Sequence, residues 1–453
     1  MRSYTGDITA AIDRRREEIW ELSRRIWEHP EPALEERYAA GQVTAYLEQE
    51  GFRVEPGIAG METAFAASWG SGAPVIGFLC EYDALPDMSQ ALKPEREQIQ
   101  RGGPGHACGH NLLGAAMAGA AAAVKELLAR ESLPGTVRVY GCPAEEIMVG
   151  KIRMDAEHVF DDCDVCLCWH PMGCNCVANY SYAAMTSIKF HFKGVMAHAA
   201  EAPDQGRSAL DAVELMNVGA NYLREHIIPQ ARIHYVITNG GGKPNVVPPE
   251  AESWYFVRAP YKKQVDELVR RLIKIQEGAA LMTETEAGYR IESGCCNTVL
   301  NTRLNELLYQ SLNRVPMPEW SEDDERLARE LLATLPQEAL DGTLKSFNIR
   351  ELKGQVLHRG VAPLRDEPSF LAGSTDVSNV SRTVPTGQVF TCCVPVGTPG
   401  HTWQTTVSVG SGIGRKGMLY AASAVADTAM VLYTQPEELA RVRADFERAA
   451  AEL

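Results

Sequence analysis

Apolar positions recur along this chain with two different periods, and the change from one to the other divides it into parts. From Ile12 to Glu50 they fall at helical spacing, first Ile19, Leu22 and Ile26 and later Ala39, Val43 and Leu47, with a break at His29-Pro30-Glu31-Pro32. This predicts two helices. Three short runs then follow, 74–80, 136–141 and 164–169, that are apolar without clean alternation, as in strands buried on both faces. Each runs into a polar turn: Glu81-Tyr82-Asp83, Cys142-Pro143-Ala144-Glu145-Glu146 and His170-Pro171. Between the first two lies the alanine-rich stretch 112–130, a buried helix by composition, with Asn111 expected as its N-cap. Strand, polar turn and helix in repetition predict an α/β fold, a mostly parallel sheet flanked by helices. In such folds the crevice outside the carboxyl ends of the strands holds the functional groups. Asp83, Glu145, Glu146 and His170 fall at those ends.

Near Ala183 the period becomes two, as Ser187-Ile188-Lys189-Phe190-His191-Phe192 shows, which suits an antiparallel strand with one wet face. A helix over 208–225, strands over 232–237 and 251–257, a helix over 264–281 and a strand near 289–293 complete an α+β insert. The boundaries read from this pattern are 184–298 for the insert, with 1–183 and 299–453 forming the other domain. After Asn297 helical signals return over 325–335. The run 388–394 reads as one more sheet strand, leading into Gly397-Thr398-Pro399-Gly400-His401, and 417–433 and 436–453 read as helices.

Composition narrows the function classes. A length of 453 residues suits about two domains, and no uninterrupted apolar run approaches the ~18 to 20 residues of a membrane span. A formal net charge of −15 repels phosphate backbones and anionic membranes, which argues against nucleic acid and membrane partners. The charged segment after the N-terminus lacks the apolar core of a secretory signal, so the expected compartment is the cytoplasm and the 12 cysteines are expected to be reduced thiols. Cys163, Cys166, Cys168, Cys174 and Cys176 are close enough in sequence to suggest a zinc or iron–sulfur site. Their alternation with Val165, Leu167 and Trp169 instead favours packed core thiols.

The strongest chemical signal is Pro104-Gly105-His106-Ala107-Cys108-Gly109-His110-Asn111. Cys108 and His110, separated by one glycine, point the same way in an extended turn, and a helix N-terminus there favours the Cys108 thiolate. With Glu146, His170 and His401 they make a sulfur, nitrogen and oxygen donor set suited to zinc, manganese or cobalt rather than calcium or magnesium. Five such ligands, one of them able to bridge, suffice for two ions with a water between them. Glu145 and Glu146 are adjacent, so their side chains diverge and one can bind metal while the other receives the proton of that water, and Asp83 is placed to orient a histidine ligand.

Taken together, Gly-His-Ala-Cys-Gly-His-Asn-Leu-Leu-Gly (105–114), Gly-Cys-Pro-Ala-Glu-Glu (141–146), Trp-His-Pro (169–171), the helix motif 206–219, Asn-Val-Val-Pro (245–248) and Gly-Thr-Pro-Gly-His-Thr-Trp-Gln (397–404) carry a resemblance. The chain resembles the dinuclear metallopeptidase family of carboxypeptidase G, aminoacylase and hippurate hydrolase, and within it the aminobenzoyl-glutamate utilization group. The resemblance implies an amidohydrolase acting on N-acyl or N-aroyl amino acids, p-aminobenzoyl-glutamate first among them. It implies a zinc-peptidase-like catalytic domain holding two divalent ions (Mn or Zn), and an inserted lid that dimerises, with a paralogous second subunit in some relatives. Cys108, His110, Glu146, His170 and His401 match ligand positions and Glu145 the general base. Asn245 and Arg258 match substrate-binding residues, and His198 a catalytic residue that in relatives reaches the neighbouring protomer's site. Two features depart from the family: Glu81 stands where distant members carry a histidine ligand, and Ile147-Met148-Val149 stand where small residues are expected. The competing readings are a dipeptidase for β-alanyl or basic dipeptides, an indole-acetyl amino acid hydrolase, and a regulatory subunit inactive on its own.

Overall fold

The unalternated runs become neighbouring strands whose residues are buried on both faces. In the computed structural model, which describes residues 2–451, Val75–Glu81, Gly135–Cys142, Val165–Met172 and Thr386–Cys392 form the parallel centre of a seven-stranded sheet. The sheet order is Arg53–Pro56, Phe65–Ser71, Gly135–Cys142, Val75–Glu81, Val165–Met172, Thr386–Cys392 and Cys176–Val177, and the outer strands pair antiparallel. Helices Thr5–Glu28, His110–Glu131 and Gly412–Thr434 pack on one another, and the latter two also pack on the sheet, within one continuous apolar core. Helix His110–Glu131 is long and apolar enough to cross a membrane, but 83% of its most apolar window is buried inside the fold.

Two local expectations are corrected here. Asn111 is not the N-cap: the helix begins at His110, after Gly109 in the left-handed region, and the Asn111 side chain turns inward to donate to Ser23 Oγ at 3.0 Å. His170 lies inside its strand rather than past its end, because pairing with Thr386–Cys392 extends the strand to Met172 and sets Phe390 opposite His170.

The chain divides into two units. The first holds the large sheet and comprises residues up to Tyr180, Val299–Ser369 and the segment from Asn379 on. The second comprises Ser181–Thr298 and Phe370–Ser378. Its four-stranded antiparallel sheet runs in the order Glu286–Cys295, Ala184–Lys193, Glu250–Ala259, Arg232–Asn239, with helices Ala209–Leu223 and Lys262–Thr283 against it and Ile188, Phe190, Tyr255 and Leu272 in its core. Phe370–Ser378, which carries no periodic signal, joins this unit through backbone bonds: the Ala183 N–H donates to Leu371 and Gly373 carbonyls at 3.1 and 3.0 Å, and the Ser374 hydroxyl donates to the Ala183 carbonyl at 2.8 Å.

Candidate metal centre

The Cys108-Gly109-His110 turn is shaped by its glycine. Gly109 has φ 87°, and a Cβ there would lie 2.8 Å from Pro171 Cγ, so the backbone both requires the left-handed region and packs onto the His170-Pro171 strand. This contact brings Cys108 Sγ to 3.2 Å from His170 Nε2. His170 Nδ1 lies 2.9 Å from the Pro171 carbonyl, which can only accept, so Nδ1 carries the hydrogen and Nε2 presents a lone pair. His110 is set in the same manner: Nδ1 lies 2.8 Å from Asp83 Oδ1, and Nε2 is buried without a hydrogen-bond partner. The other Asp83 oxygen accepts the Glu146 N–H at 3.0 Å. One buried carboxylate thus orients two candidate ligands from separate segments.

His401 arrives from the turn after Thr386–Cys392. Its φ of 57° is left-handed, and its N–H donates to the Ala107 carbonyl at 3.1 Å, which fixes it beside the cysteine turn. Its Nε2 is 3.5 Å from Glu146 Oε2, while Glu146 Oε1 is buried and unpartnered. The donor atoms of Cys108, His110 and His170 lie within 4.8 Å of one another, as do those of Cys108, Glu146 and His401, and of His110, Glu145 and Glu146. Cys108 belongs to two of these groups, and His110 and Glu146 each link two. Bare imidazole nitrogen, an unpartnered carboxylate oxygen and a thiol in one cluster are the donor chemistry of a transition-metal or zinc site, so the residues present fit two divalent ions.

The electrostatics describe a site in want of positive charge. Burial, with Glu146 beside it, pushes the Cys108 thiol well above its ordinary range, so desolvation outweighs the helix N-terminus that was expected to favour the thiolate. Burial also raises Glu146 against the opposing pull of His110 and His401. Asp83 is held below its ordinary value: burial works against it, and His110 together with the Glu146 N–H more than offsets that. Burial, with His110 beside it, lowers His170 to about 4 and keeps it neutral and ready to donate its lone pair. A bound cation would draw the protons off Cys108 and Glu146.

Glu145 is buried in the short turn Glu145–Ile147, between Ala144 and Met148, both left-handed. Ile147 is exposed at the surface of that turn. Glu81 has Oε2 at 3.4 Å from His110 Nε2 and Oε1 at 2.7 Å from the fully buried ammonium of Lys151. Sequence reasoning missed Lys151, since a lysine in Gly150-Lys151-Ile152-Arg153 reads as a solvated helix position.

His198, Asn245 and Arg258 belong to the second unit. His198 is exposed, and its Nδ1 accepts the N–H groups of Ala200 and Glu201 at 3.3 and 3.1 Å, which leaves Nε2 as a donor. A bridge to Val246 and the Ala199 N–H to the Asn245 carbonyl at 3.0 Å bring the His198 and Asn245 segments together. Arg258 Nη1 donates to Ser374 Oγ at 2.7 Å, and no carboxylate pairs with Arg258 among the described residues.

Comparison with known proteins places this geometry. Residues 181–281 match the model of the peptidase dimerisation domain. The chain is 43% identical over 446 residues to one of the subunits of the p-aminobenzoyl-glutamate hydrolase of Escherichia coli (strain K12), which covers 96% of this chain and 92% of the relative. It is 32% identical over 452 residues to the Xaa-Arg dipeptidase of Mus musculus, covering 96% and 90%. Its fold resembles the crystal structure of a dinuclear metal binding peptidase of the M20 family from Bacillus subtilis, with TM-score 0.60 and 17% identity over 92% of this chain and 98% of the other. The likeness to the hydrolase runs through nearly the whole of both sequences, and the chain belongs to the M20 family of metal-dependent amidohydrolases and peptidases.

Proposed function

We propose that the protein hydrolyses the amide bond of N-acyl or N-aroyl amino acids, with p-aminobenzoyl-glutamate as the first candidate substrate. Cys108, His110, His170, Glu146 and His401 would hold two divalent ions, manganese or zinc. The observation that carries this reading is the membership of Cys108 in two donor groups, His110 and His170 on one side and Glu146 and His401 on the other. When bound, such a pair of ions supplies Lewis acidity and makes water acidic enough to be deprotonated near neutral pH. Glu145, with its carboxylate within 4.8 Å of the donor atoms of His110 and Glu146, takes that proton and returns it to the leaving amine. Asp83 keeps the His110 lone pair and the Glu146 turn in register. In the second unit, Arg258 supplies the unpaired guanidinium that a substrate carboxylate requires, Asn245 a neutral polar contact, and His198 Nε2–H a donor for the charge that develops on the scissile carbonyl oxygen. The dimerisation-domain match supports a homodimer, and a relative that is one subunit of a hydrolase supports a paralogous partner. Twelve free cysteines suit the reducing cytoplasm.

The 32% identity to a dipeptidase supports a second reading, cleavage of dipeptides ending in a basic residue. A panel of N-aroyl-glutamates, N-acetyl and indole-acetyl amino acids and Xaa-Arg dipeptides, assayed with added Mn²⁺ or Zn²⁺, decides between them. Turnover of an N-aroyl-glutamate above the dipeptides supports the first reading; the reverse order replaces it with the second; no turnover of any member leaves only the reading as a regulatory chain.

A further inference from the structure

The turn that carries Glu145 and Glu146 is held in a conformation that its own residues disfavour. Ala144 has φ 57° and Met148 φ 56°, both in the left-handed region that side chains other than glycine rarely adopt. On its far side the turn fixes itself. The Met148 N–H donates to the Glu145 carbonyl at 2.8 Å, the Val149 N–H to the Ala144 carbonyl at 3.2 Å, and Gly150 packs so tightly on the Pro143 carbonyl that a Cβ would lie 1.7 Å from the oxygen. Asp83 takes the Glu146 N–H. On the near side the Ala144 N–H points away from the turn and donates at 2.8 Å to Oε1 of Glu36.

Glu36 directly precedes helix Arg37–Gln49, 108 residues from Ala144 in sequence, and is fully buried. Its second oxygen accepts the Thr63 hydroxyl at 3.0 Å. No lysine or arginine pairs with it among the described residues. A buried carboxylate without a cation is costly to keep, and here both oxygens are spent on neutral donors, one of them the backbone amide immediately before Glu145. Resting on the reading of Glu145 as the general base, we infer that Glu36 is a positioning residue: through the Ala144 N–H it holds Ala144 left-handed and so fixes the direction in which the Glu145 carboxylate points. It touches neither substrate nor ligand. Without the bond, Ala144 relaxes toward negative φ and the rotation carries the Glu145 side chain off its line.

The test compares Glu36→Ala, Glu36→Gln and the double variant Glu36→Ala/Ala144→Gly, reading kcat, KM and metal content on the metal-loaded protein. Glu36→Ala lowers kcat by ~10 to 100-fold with little change in KM or metal content, since misplacement of a catalytic group by about 1 Å costs on that order. Glu36→Gln, which still offers an oxygen to the Ala144 N–H, recovers most of the loss. Glycine at 144 in the Glu36→Ala background recovers part of it, because glycine takes up the left-handed conformation without being held there. A role in folding alone would not be relieved by that second substitution. Should Glu36→Ala fail to fold, Thr63→Val removes the hydroxyl that orients the carboxylate, and a several-fold lower kcat at unchanged KM is expected. The inference is overturned if kcat stays within twofold of the parent in Glu36→Ala, or in Thr63→Val where that variant replaces it. It is equally overturned if metal content and kcat fall together and neither Gln nor Gly restores them. Glu145→Gln, measured alongside, keeps the two readings apart: normal turnover there removes the base assignment, whereas an inactive Glu145→Gln beside a normal Glu36→Ala removes only this inference.

Discussion

Asp83→Asn tests the organisation of the metal centre through one atom. The two oxygens of Asp83, buried and only 1% exposed, accept His110 Nδ1–H at 2.8 Å and the Glu146 N–H at 3.0 Å. Asparagine keeps the shape but offers one oxygen and one NH₂. Whichever way the amide turns, a donor meets a donor. If the NH₂ faces Glu146, a buried backbone N–H is left unsatisfied. If it faces His110, the ring can accept only by moving its hydrogen to Nε2, which removes the lone pair required of a ligand. An unsatisfied buried donor costs ~1 to 3 kcal/mol, and at ~1.4 kcal/mol per factor of ten that is about 5- to 150-fold in metal affinity. Loss of such an outer partner typically costs 10- to 100-fold in affinity or activity, so the two routes to the magnitude agree. Competition of the apoprotein against a chelating indicator, titrated with Zn²⁺ or Mn²⁺, measures it, with unfolding midpoints of the apo forms as the control for fold. Metal affinity within twofold of the parent, with the fold intact, would refute the claim that Asp83 orients the ligands.

Glu145→Gln should retain its metal and lose ~10² to 10⁴-fold in turnover, checked by steady-state kinetics beside elemental analysis; near-normal turnover would mean the adjacent glutamates have been assigned the wrong way round. Cys108→Ser should fail in the opposite order, giving up metal during dialysis before any loss of fold is detected by circular dichroism, because a hydroxyl is a far poorer ligand than a thiolate. Arg258→Ala should raise KM for N-acyl amino acids by ~10 to 100-fold, the worth of a charge-assisted hydrogen bond, and leave the corresponding carboxamides unaffected; an equal effect on both would remove the carboxylate from its role. His358 offers a pH test away from the metal: burial lowers it to about 4 while its Nδ1 accepts the Asn175 N–H at 3.0 Å. The unfolded chain therefore binds a proton that the folded chain refuses, and stability falls as pH drops from about 6.5 toward 4, by on the order of 3 kcal/mol for this group. Urea unfolding at pH 7 and pH 5 should show a smaller loss in His358→Gln, and identical losses would discount the effect.

Legibility in the sequence followed the physics of each element. The central strands could be read because cover on both faces removes alternation, and Val75–Glu81 is buried from its second residue onward. The outer strand Phe65–Ser71, second in the sheet, could not: its burial fades along its length and it holds a glycine, so the period is too short to read. Asn111 looked like a cap because local sequence favours that role, but Gly109 already ends the turn and Ser23, 88 positions away, takes the amide. That Cys108, His110, Glu145, Glu146, His170 and His401 cluster was legible because cysteine, histidine and paired glutamates in or just past the sheet strands have few structural reasons to be there. Glu36 and Lys151 were not, since Glu35-Glu36 before a helix and a lysine within one are ordinary solvated positions. What makes each unusual is burial by segments distant in sequence.

Those two hidden residues change how the charge of the centre is understood. Glu36, Glu81, Asp83, Glu145, Glu146 and Cys108 converge within or immediately behind the cluster, and the Lys151 ammonium is the one buried lysine or arginine among the described residues. It pairs with Glu81, whose carboxyl stays below its ordinary value because burial, which works against this, is more than offset by Lys151 and His110. Glu36, Glu146 and Cys108 answer to burial differently. Burial raises Glu36, Glu146 and Cys108, the response of acidic groups held close together out of water. Two divalent cations would reverse that response at Cys108 and Glu146, where the donors meet, and leave Glu36 as it is, since both of its oxygens already face neutral donors. The acids therefore separate by surroundings: Glu81 is matched by an ammonium, Cys108 and Glu146 face the cluster of donor atoms, and Asp83 and Glu36 are spent on backbone, imidazole and hydroxyl donors beside it.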